Sequence, residues 1–134
     1  IFIDKYPSGD KNIDKYLFKN KNELIGRKIR TFNESNWFEW GAPRNIKVMR
    51  ENKGKDCIYI HTLTRKQKVA FSGKVDYCGA NMIMMIPKEK MEKEKIKKYV
   101  DYFNSEMFKM NYLFSGRFKV GHRQLCESQI PIDF

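Results

Sequence analysis

The stretch that organises the chain is Asn111–Pro131, with the sequence NYLFSGRFKVGHRQLCESQIP. It follows a predicted helix and combines basic side chains with Gly116 and Gly121, which let the backbone turn or approach a ligand closely. Its arginine, lysine and glutamine side chains are donors of the kind that hold phosphates and read base edges. We therefore predict a nucleic-acid-binding surface here. The alternative is a final strand whose basic side chains only face water and whose apolar residues are Leu113, Phe114, Phe118 and Val120.

The length and composition favour a single folded domain over residues 1–134. The chain is 41% hydrophobic and 14% aromatic, which supports a modest core and argues against disorder. It starts at Ile1, so we interpret it as a domain of a longer protein. The longest apolar run, Met82–Ile86, is too short to cross a bilayer, and we expect a cytoplasmic protein. The cysteines are odd in number and widely spaced, which indicates unpaired thiols in packed positions at Cys57, Cys78 and Cys126.

The positive charge is concentrated in the middle of the chain. The formal net charge is +11, and residues 41–75 contain nine lysines and arginines against two acidic residues. The flanking segments, 1–40 and 76–134, each carry only +2. A local excess of this kind suits a polyanion, either nucleic acid or an anionic membrane surface, unless it reflects a generally lysine-rich composition.

Hydrophobic patterning predicts an α+β fold with an antiparallel or mixed sheet of about four to six strands. Asp10 is expected to cap an N-terminal helix that runs to about Lys28. A long amphipathic helix is predicted after Pro87, packed on the sheet, with its methionines filling the core. The non-alternating run Asn81–Ile86 is expected at the centre of the sheet. The predicted strands are Ile46–Arg50, Cys57–Arg65, Lys68–Ser72 and Asn81–Ile86.

Two further patterns concern aromatic residues and glycines. Trp37 and Trp40 lie in a dense aromatic segment, where they either stack on bases or clamp a loop to the core. Phe71–Val75 and Phe114–Phe118 share the pattern Phe-Ser-Gly-basic-apolar, which predicts two similar turns at strand ends. No glycine-rich nucleotide loop or metal-ligand cluster occurs in the sequence. We therefore predict no catalytic, cofactor-binding or metal-binding residues in this chain.

Several short motifs, taken in order, resemble a known DNA-binding module. The chain is similar to the C-terminal target-recognition domain of bacterial N6-adenine DNA methyltransferases, the TaqI-like specificity domain. The motifs that carry the resemblance are Tyr6-Pro7, the helical segment Leu17–Arg27, the aromatic segment Trp37–Arg44, Phe103-Asn104-Ser105, Ser115–Phe118, Gly121–Leu125 and Ile130-Pro131.

The resemblance implies sequence-specific recognition of double-stranded DNA within a type II restriction-modification system. In such enzymes a separate N-terminal domain binds S-adenosylmethionine and methylates the adenine, while the C-terminal domain reads the target. Neither the cofactor site nor the Asn-Pro-Pro-aromatic motif is present in this sequence. The resemblance therefore implies a non-enzymatic fragment, partnered by a methyltransferase domain of the same chain and, in some parents, by a fused endonuclease.

The predicted DNA contacts fall into two groups. Base edges are assigned to Arg117, His122, Arg123 and Gln124, and phosphates to Arg44, Lys47, Arg65, Lys66, Lys68, Lys74 and Lys119. Two other hypotheses stay open. One is an RNA-binding module that stacks bases on Trp37, Trp40 and Phe118, and the other is a protein-interaction domain with incidental charge.

Overall fold

The computed structural model describes residues 3–42 and 45–131, and it confirms the predicted α+β class. Residue contacts group the chain into two compact units, 1–45 and 46–134, while a single domain over residues 1–134 stays a prediction. In the described ranges, no helix is long and apolar enough to span a membrane.

The described helices are α1 Lys11–Lys19, α2 Lys21–Ile25, α3 Ile46–Glu51, α4 Lys93–Asn104, α5 Glu106–Met110 and α6 His122–Glu127. The described strands are β1 Asp56–His61, β2 Leu63–Thr64, β3 Ala70–Lys74, β4 Met82–Met85, β5 Leu113–Phe114 and β6 Arg117–Lys119.

In the first unit, the N-terminal helix is capped as predicted. The Asp10 carboxylate accepts hydrogen bonds of 2.8 and 3.1 Å from the backbone N–H groups two and three residues later. The prediction of one continuous helix to Lys28 is wrong, because α1 ends at Lys19 and a separate short helix follows. The chain leaves helical geometry at Asn20, whose side-chain amide donates to the carbonyl of Tyr16.

Arg27 fixes the loop that follows α2. Its Nη2 donates to the carbonyls of Trp37, at 2.7 Å, and Glu39, at 3.0 Å. The guanidinium carbon lies 3.9 Å from the centroid of the Phe32 ring. Burial lowers the pKa of Arg27, with a further contribution from the positive charge of Arg30. The side chain therefore holds together the aromatic segment of the first unit.

The first sheet lies in the second unit and has the antiparallel order β3-β1-β4. Ile58 and Ile60 of β1 face the hydrophobic core, whereas Cys57 and Tyr59 face the opposite side. The prediction of β4 as a central strand is wrong, because β1 occupies the centre. The residues of β4 do not alternate in hydrophobicity because apolar clusters partly cover both of its faces.

The second sheet has the antiparallel order β2-β6-β5 and begins where the predicted strand Cys57–Arg65 divides. Thr62 separates β1 from β2. Its N–H donates to the carbonyl of Asn81 at 2.9 Å, and its own carbonyl accepts from the N–H of Val120 at 3.0 Å. The expected strands are therefore divided between two small sheets instead of forming one.

Two segments differ from the predicted helix and strand boundaries. Residues 46–50, predicted as a strand, belong to α3, because apolar residues in so short a segment also fit one face of a helical turn. The long helix α4 begins at Lys93 and not directly after Pro87. It packs on the first sheet through Ile96 and Phe103, which are 4% and 0% exposed. The predicted amphipathic helix on the sheet is confirmed.

Aromatic packing joins the helices to the closing stretch. The ring centroid of Phe108 lies 5.0 Å from that of Phe103 and 6.2 Å from that of Phe118. The prediction that methionines of this region fill the core is wrong for Met107 and Met110, which are 67% and 68% exposed. They follow the end of α4, on a helix whose buried side is occupied by Phe108.

The three cysteines are unpaired, as predicted, but they differ in burial. Cys57 is buried in β1 and Cys78 is half-buried. Cys126 is exposed on α6, so its assignment as a packing residue is wrong. The reason is that residues 122–127, for which no helix was predicted, form a helix that buries Leu125 and leaves Cys126 exposed.

Candidate nucleic-acid interface

The outward side of the second sheet carries both apolar and cationic residues. Leu63 pairs with Lys119 across β2 and β6, and Phe114 pairs with Arg117 across β5 and β6. Residues directly opposite in an antiparallel pair share one side of the sheet, as do residues two apart on a strand. These four residues therefore form one surface, here called the hairpin face. Leu63 and Phe114 are 48% and 63% exposed, and the Lys119 ammonium lies 5.4 Å from the centroid of the Phe114 ring.

A tight turn ends the hairpin face. The central residues of the turn, Ser115 and Gly116, have φ angles of 49° and 69°. This left-handed geometry is that of a type I′ turn, whose twist matches that of the paired strands. Apart from its two chain neighbours, no atom of the described residues lies within 4 Å of the position that a Gly116 side chain would take. Phe118 and Val120 anchor the hairpin in the core, so its narrow tip is exposed while its base is fixed.

The loop between β2 and β3, residues 65–69 and here called the basic loop, is held in place by side chains from two helices. Asn104 Oδ1 accepts from the N–H groups of Val69, at 2.7 Å, and Ala70, at 3.0 Å, and its Nδ2 donates to the Ala70 carbonyl at 2.9 Å. The buried Lys109 ammonium donates to the Gln67 carbonyl at 3.3 Å. These bonds order the backbone of a loop whose exposed cations are Arg65, Lys66 and Lys68.

Strand pairing brings the basic loop beside the hairpin face. Arg65 directly follows Thr64, which pairs with Phe118, the residue next to Arg117 on β6. We call the hairpin face and the basic loop together the candidate interface. Its cations form no ion pair within residues 3–42 and 45–131, and they are Arg65, Lys66, Lys68, Arg117 and Lys119.

The other predicted phosphate contacts lie elsewhere. Lys74 stands at the opposite end of β1 from β2, and its ammonium pairs with the Asp56 carboxylate at 2.8 Å. This hydrogen bond lowers the pKa of Asp56. Lys47 lies on α3, 3.9 Å from Glu51, and is 86% exposed. Arg44 lies outside the described residues.

Three predicted base-reading residues lie together on α6, where they make local contacts. Gln124 Oε1 accepts from the Gly121 N–H at 2.8 Å and thereby caps the helix. The Arg123 guanidinium pairs with Glu127 at 2.8 Å, one turn along the helix. His122 Nδ1 lies 3.8 Å from the sulfur of Cys126. In the part of the chain that the structure describes, no group of His, Cys, Asp or Glu side chains is arranged to hold a metal ion.

The two tryptophans differ in exposure within the first unit. Trp37 is 3% exposed, and its ring packs edge-on against Tyr6 and Phe38 at centroid distances of 4.7 and 6.0 Å. Trp40 is 40% exposed, and its carbonyl accepts from Arg30 at 3.3 Å. The structure thus leaves little of the Trp37 ring accessible to a stacked base.

Sequence reasoning missed the residues that position the basic loop. Asn104 lies in the motif Phe103-Asn104-Ser105, which contributes to the family resemblance but does not by itself predict a contact with the loop. Its neighbours explain the motif, because Phe103 fills the core and Ser105 Oγ accepts from the Phe108 N–H to cap α5. A polar amide directly after a buried helical phenylalanine was the available signal. Lys109 gave no such signal, since lysines are frequent throughout this chain.

The comparison with known proteins points to a methyltransferase. The chain is 33% identical over 117 residues to the type II methyltransferase M.MjaIV of Methanocaldococcus jannaschii. The matched region is 87% of this chain but only 37% of that protein. The chain is therefore related to a methyltransferase and spans about a third of its length. The relative is archaeal, so the match does not restrict this kind of sequence to bacteria.

Two other comparisons gave no match. No family model matches the chain, and no solved structure matches it.

Proposed function

We propose that the chain is a DNA target-recognition module of a type II restriction-modification methyltransferase, of the TaqI-like kind. The relative is a type II methyltransferase, and the matched portion covers only part of it. In this proposal the remaining part of the protein binds S-adenosylmethionine and methylates adenine N6. The chain described here performs no chemistry and places that catalytic part on its target.

The observation that carries the proposal is the group of cations at the candidate interface that form no ion pair with any residue the structure describes. Five such side chains lie on a pinned loop and on one side of the adjoining sheet. Each phosphate that they neutralise releases a condensed counterion, which drives association with DNA. The basic loop is suited to phosphate contact because its backbone is ordered in advance, so less conformational entropy is lost on binding.

The predicted base contacts on α6 belong to the same proposal in a modified form. Arg123 exchanges an exposed ion pair with Glu127 for a base edge at little cost, because such surface pairs contribute roughly 0–1 kcal/mol. Gln124 contacts adenine with both its amide oxygen and its amide nitrogen only if Oε1 releases the Gly121 N–H. Arg117, on the hairpin face, needs no such exchange of an ion pair within the described residues.

The test is duplex-DNA binding at several salt concentrations. Lys66→Ala and Lys68→Ala should weaken all sequences alike and each reduce the slope of log affinity against log salt by about one unit. Arg117→Ala and Arg123→Ala should instead reduce discrimination between cognate and single-mismatch duplexes by about 1–3 kcal/mol. Lys97→Ala, which removes an exposed charge from α4, is the matched control and should change neither quantity.

Two outcomes would contradict this proposal. Preference for single-stranded RNA over duplex DNA in competition would favour the RNA-binding alternative. Absence of DNA binding even at low salt would favour a protein-interaction domain.

A further inference from the structure

The exposure of Phe114 is unusual for its position in the fold. A phenylalanine in a paired strand is normally buried, and the neighbouring Phe118 is 3% exposed while Phe114 is 63% exposed. A single exposed aromatic residue needs no explanation, but Leu63 shares the hairpin face and is 48% exposed. Two large apolar side chains beside cations that form no ion pair with any described residue match the composition of a surface that contacts bases as well as phosphates.

The dimensions of the hairpin select one groove of the duplex. Paired strands lie about 4.8 Å apart, so a two-stranded ribbon with its side chains fits the major groove, which is about 12 Å wide. The minor groove, at about 6 Å, is too narrow for it. The turn at Ser115 and Gly116 adds little bulk at the leading end, because serine has a small side chain and glycine has none.

The geometry points to the β5–β6 hairpin as the element that enters the major groove, with Phe114 contacting a thymine methyl group and Arg117 contacting guanine. This inference rests on the proposed function and deepens it. Apolar contact with the thymine methyl and bidentate donation to guanine O6 and N7 are the contacts that these two side-chain types make in that groove.

The pairing of the two residues also limits the spacing of the bases they read. Phe114 and Arg117 are directly opposite across the hairpin. The Cβ atoms of such a pair are about 5 Å apart, compared with a base step of about 3.4 Å. The thymine and the guanine therefore occur within two base pairs of each other in the target.

The test uses base analogues in a duplex selected by the protein from random sequences. Replacing thymine by deoxyuridine removes only the methyl group, and at one position this should weaken binding about fourfold. The same replacement should not change the affinity of the Phe114→Ala variant for DNA. Replacing each guanine in turn by 7-deazaguanine removes the N7 acceptor. This should weaken binding at one guanine, within two base pairs of the sensitive thymine, and the loss should disappear in the Arg117→Ala variant. Met110→Ala, an equally exposed apolar residue on α5, is the matched control and should retain both effects.

Three outcomes would overturn this inference while leaving the proposed function intact. One is a protein with salt-dependent duplex binding, weakened by Lys66→Ala, that has no deoxyuridine-sensitive position. Another is a deoxyuridine effect that persists in Phe114→Ala. The third is a Phe114→Ala variant that only reproduces the reduced salt slope of Lys119→Ala, which would mean that the ring merely positions that ammonium. If the unmodified protein binds no duplex at all, the proposed function fails and this inference fails with it.

Discussion

The segments Phe71–Lys74 and Phe114–Arg117 have the same pattern of residues but different structures. The first runs straight through β3, where Gly73 lies opposite Cys57 and the Tyr59 ring packs against it. The second forms the turn between β5 and β6, with Gly116 in the left-handed conformation. The prediction that both are turns at strand ends is therefore wrong for the first. The strand that pairs with a segment, and not its local sequence, decides between the two conformations.

The basic residues of the two segments also differ, in whether they form an ion pair. Lys74 forms an ion pair with Asp56 across β1 and β3. Arg117 forms no ion pair with any described residue and lies on the hairpin face. The same sequence pattern thus places one cation in an ion pair across two strands and the other on the hairpin face.

The largest expected effect on stability comes from removing the Asn104 side chain, which hydrogen-bonds the backbone at the start of β3. Asn104→Ala leaves the N–H groups of Val69 and Ala70 without their acceptor, and we expect a loss of about 2–3 kcal/mol in the free energy of unfolding. Denaturant unfolding measures it. Asn111→Ala is the control, because the exposed Asn111 amide donates to the Met107 carbonyl and bonds no other described residue; this variant should change stability by less than about 0.5 kcal/mol. Equal effects of the two variants would mean that Asn104 does not hold β3.

Substitutions at the two glycines should show an intermediate effect with opposite preferences. At Gly116 the positive φ is the constraint, so alanine should cost about 1–2 kcal/mol and asparagine clearly less. At Gly73 the constraint is space, because a new Cβ would lie 3.1 Å from the Tyr59 ring, and asparagine should therefore cost more than alanine. Thermal unfolding of the four variants tests this reversal. If alanine is the better substitution at both positions, the difference between the segments does not arise from φ.

The smallest expected effect concerns pH. Because the pKa of Asp56 is lowered by its hydrogen bond to Lys74, the pair stabilises the fold above the ordinary aspartate value of 3.8 and loses this contribution as pH falls through the lower folded-state value. Lys74→Ala should therefore reduce the melting temperature slightly at pH 7 and hardly at all near pH 2. Arg117→Ala should show no such difference between the two pH values. A Lys74→Ala deficit that persists unchanged in acid would assign the loss to packing and not to the ion pair.

Features encoded within a few residues were predictable from the sequence. The Asp10 cap and the amphipathic face of α4 are local, and both are present in the structure. The division into two sheets depends on Thr62, whose partners lie 19 residues and 58 residues further along the chain, and no local pattern indicates them. The helix at residues 122–127 was missed because its glycine was interpreted as a ligand approach and not as an N-cap.

The candidate site was only partly accessible to sequence reasoning. Composition identified the cations of the basic loop, since charge is visible in the sequence. Composition could not show that Lys74, unlike Lys68, forms an ion pair with a described residue, because an ion pair across two strands depends on the pairing register. The exposure of Phe114 was also hidden, because the side of the sheet that a strand residue faces depends on the pairing register. The predicted division between phosphate and base contacts stays a prediction.

The different environments of the three cysteines make this chain suitable for site-selective fluorescence labelling without mutation. Burial raises the pKa values of Cys57 and Cys78, which lowers the fraction of reactive thiolate at both positions. Cys126 is exposed, one helical turn from His122, and a maleimide dye should therefore attach there first. A fluorophore at this position would sit on α6 beside Arg123 and report binding as a change in anisotropy. Cys126→Ser would then remove the signal and serve as the blank for such a measurement.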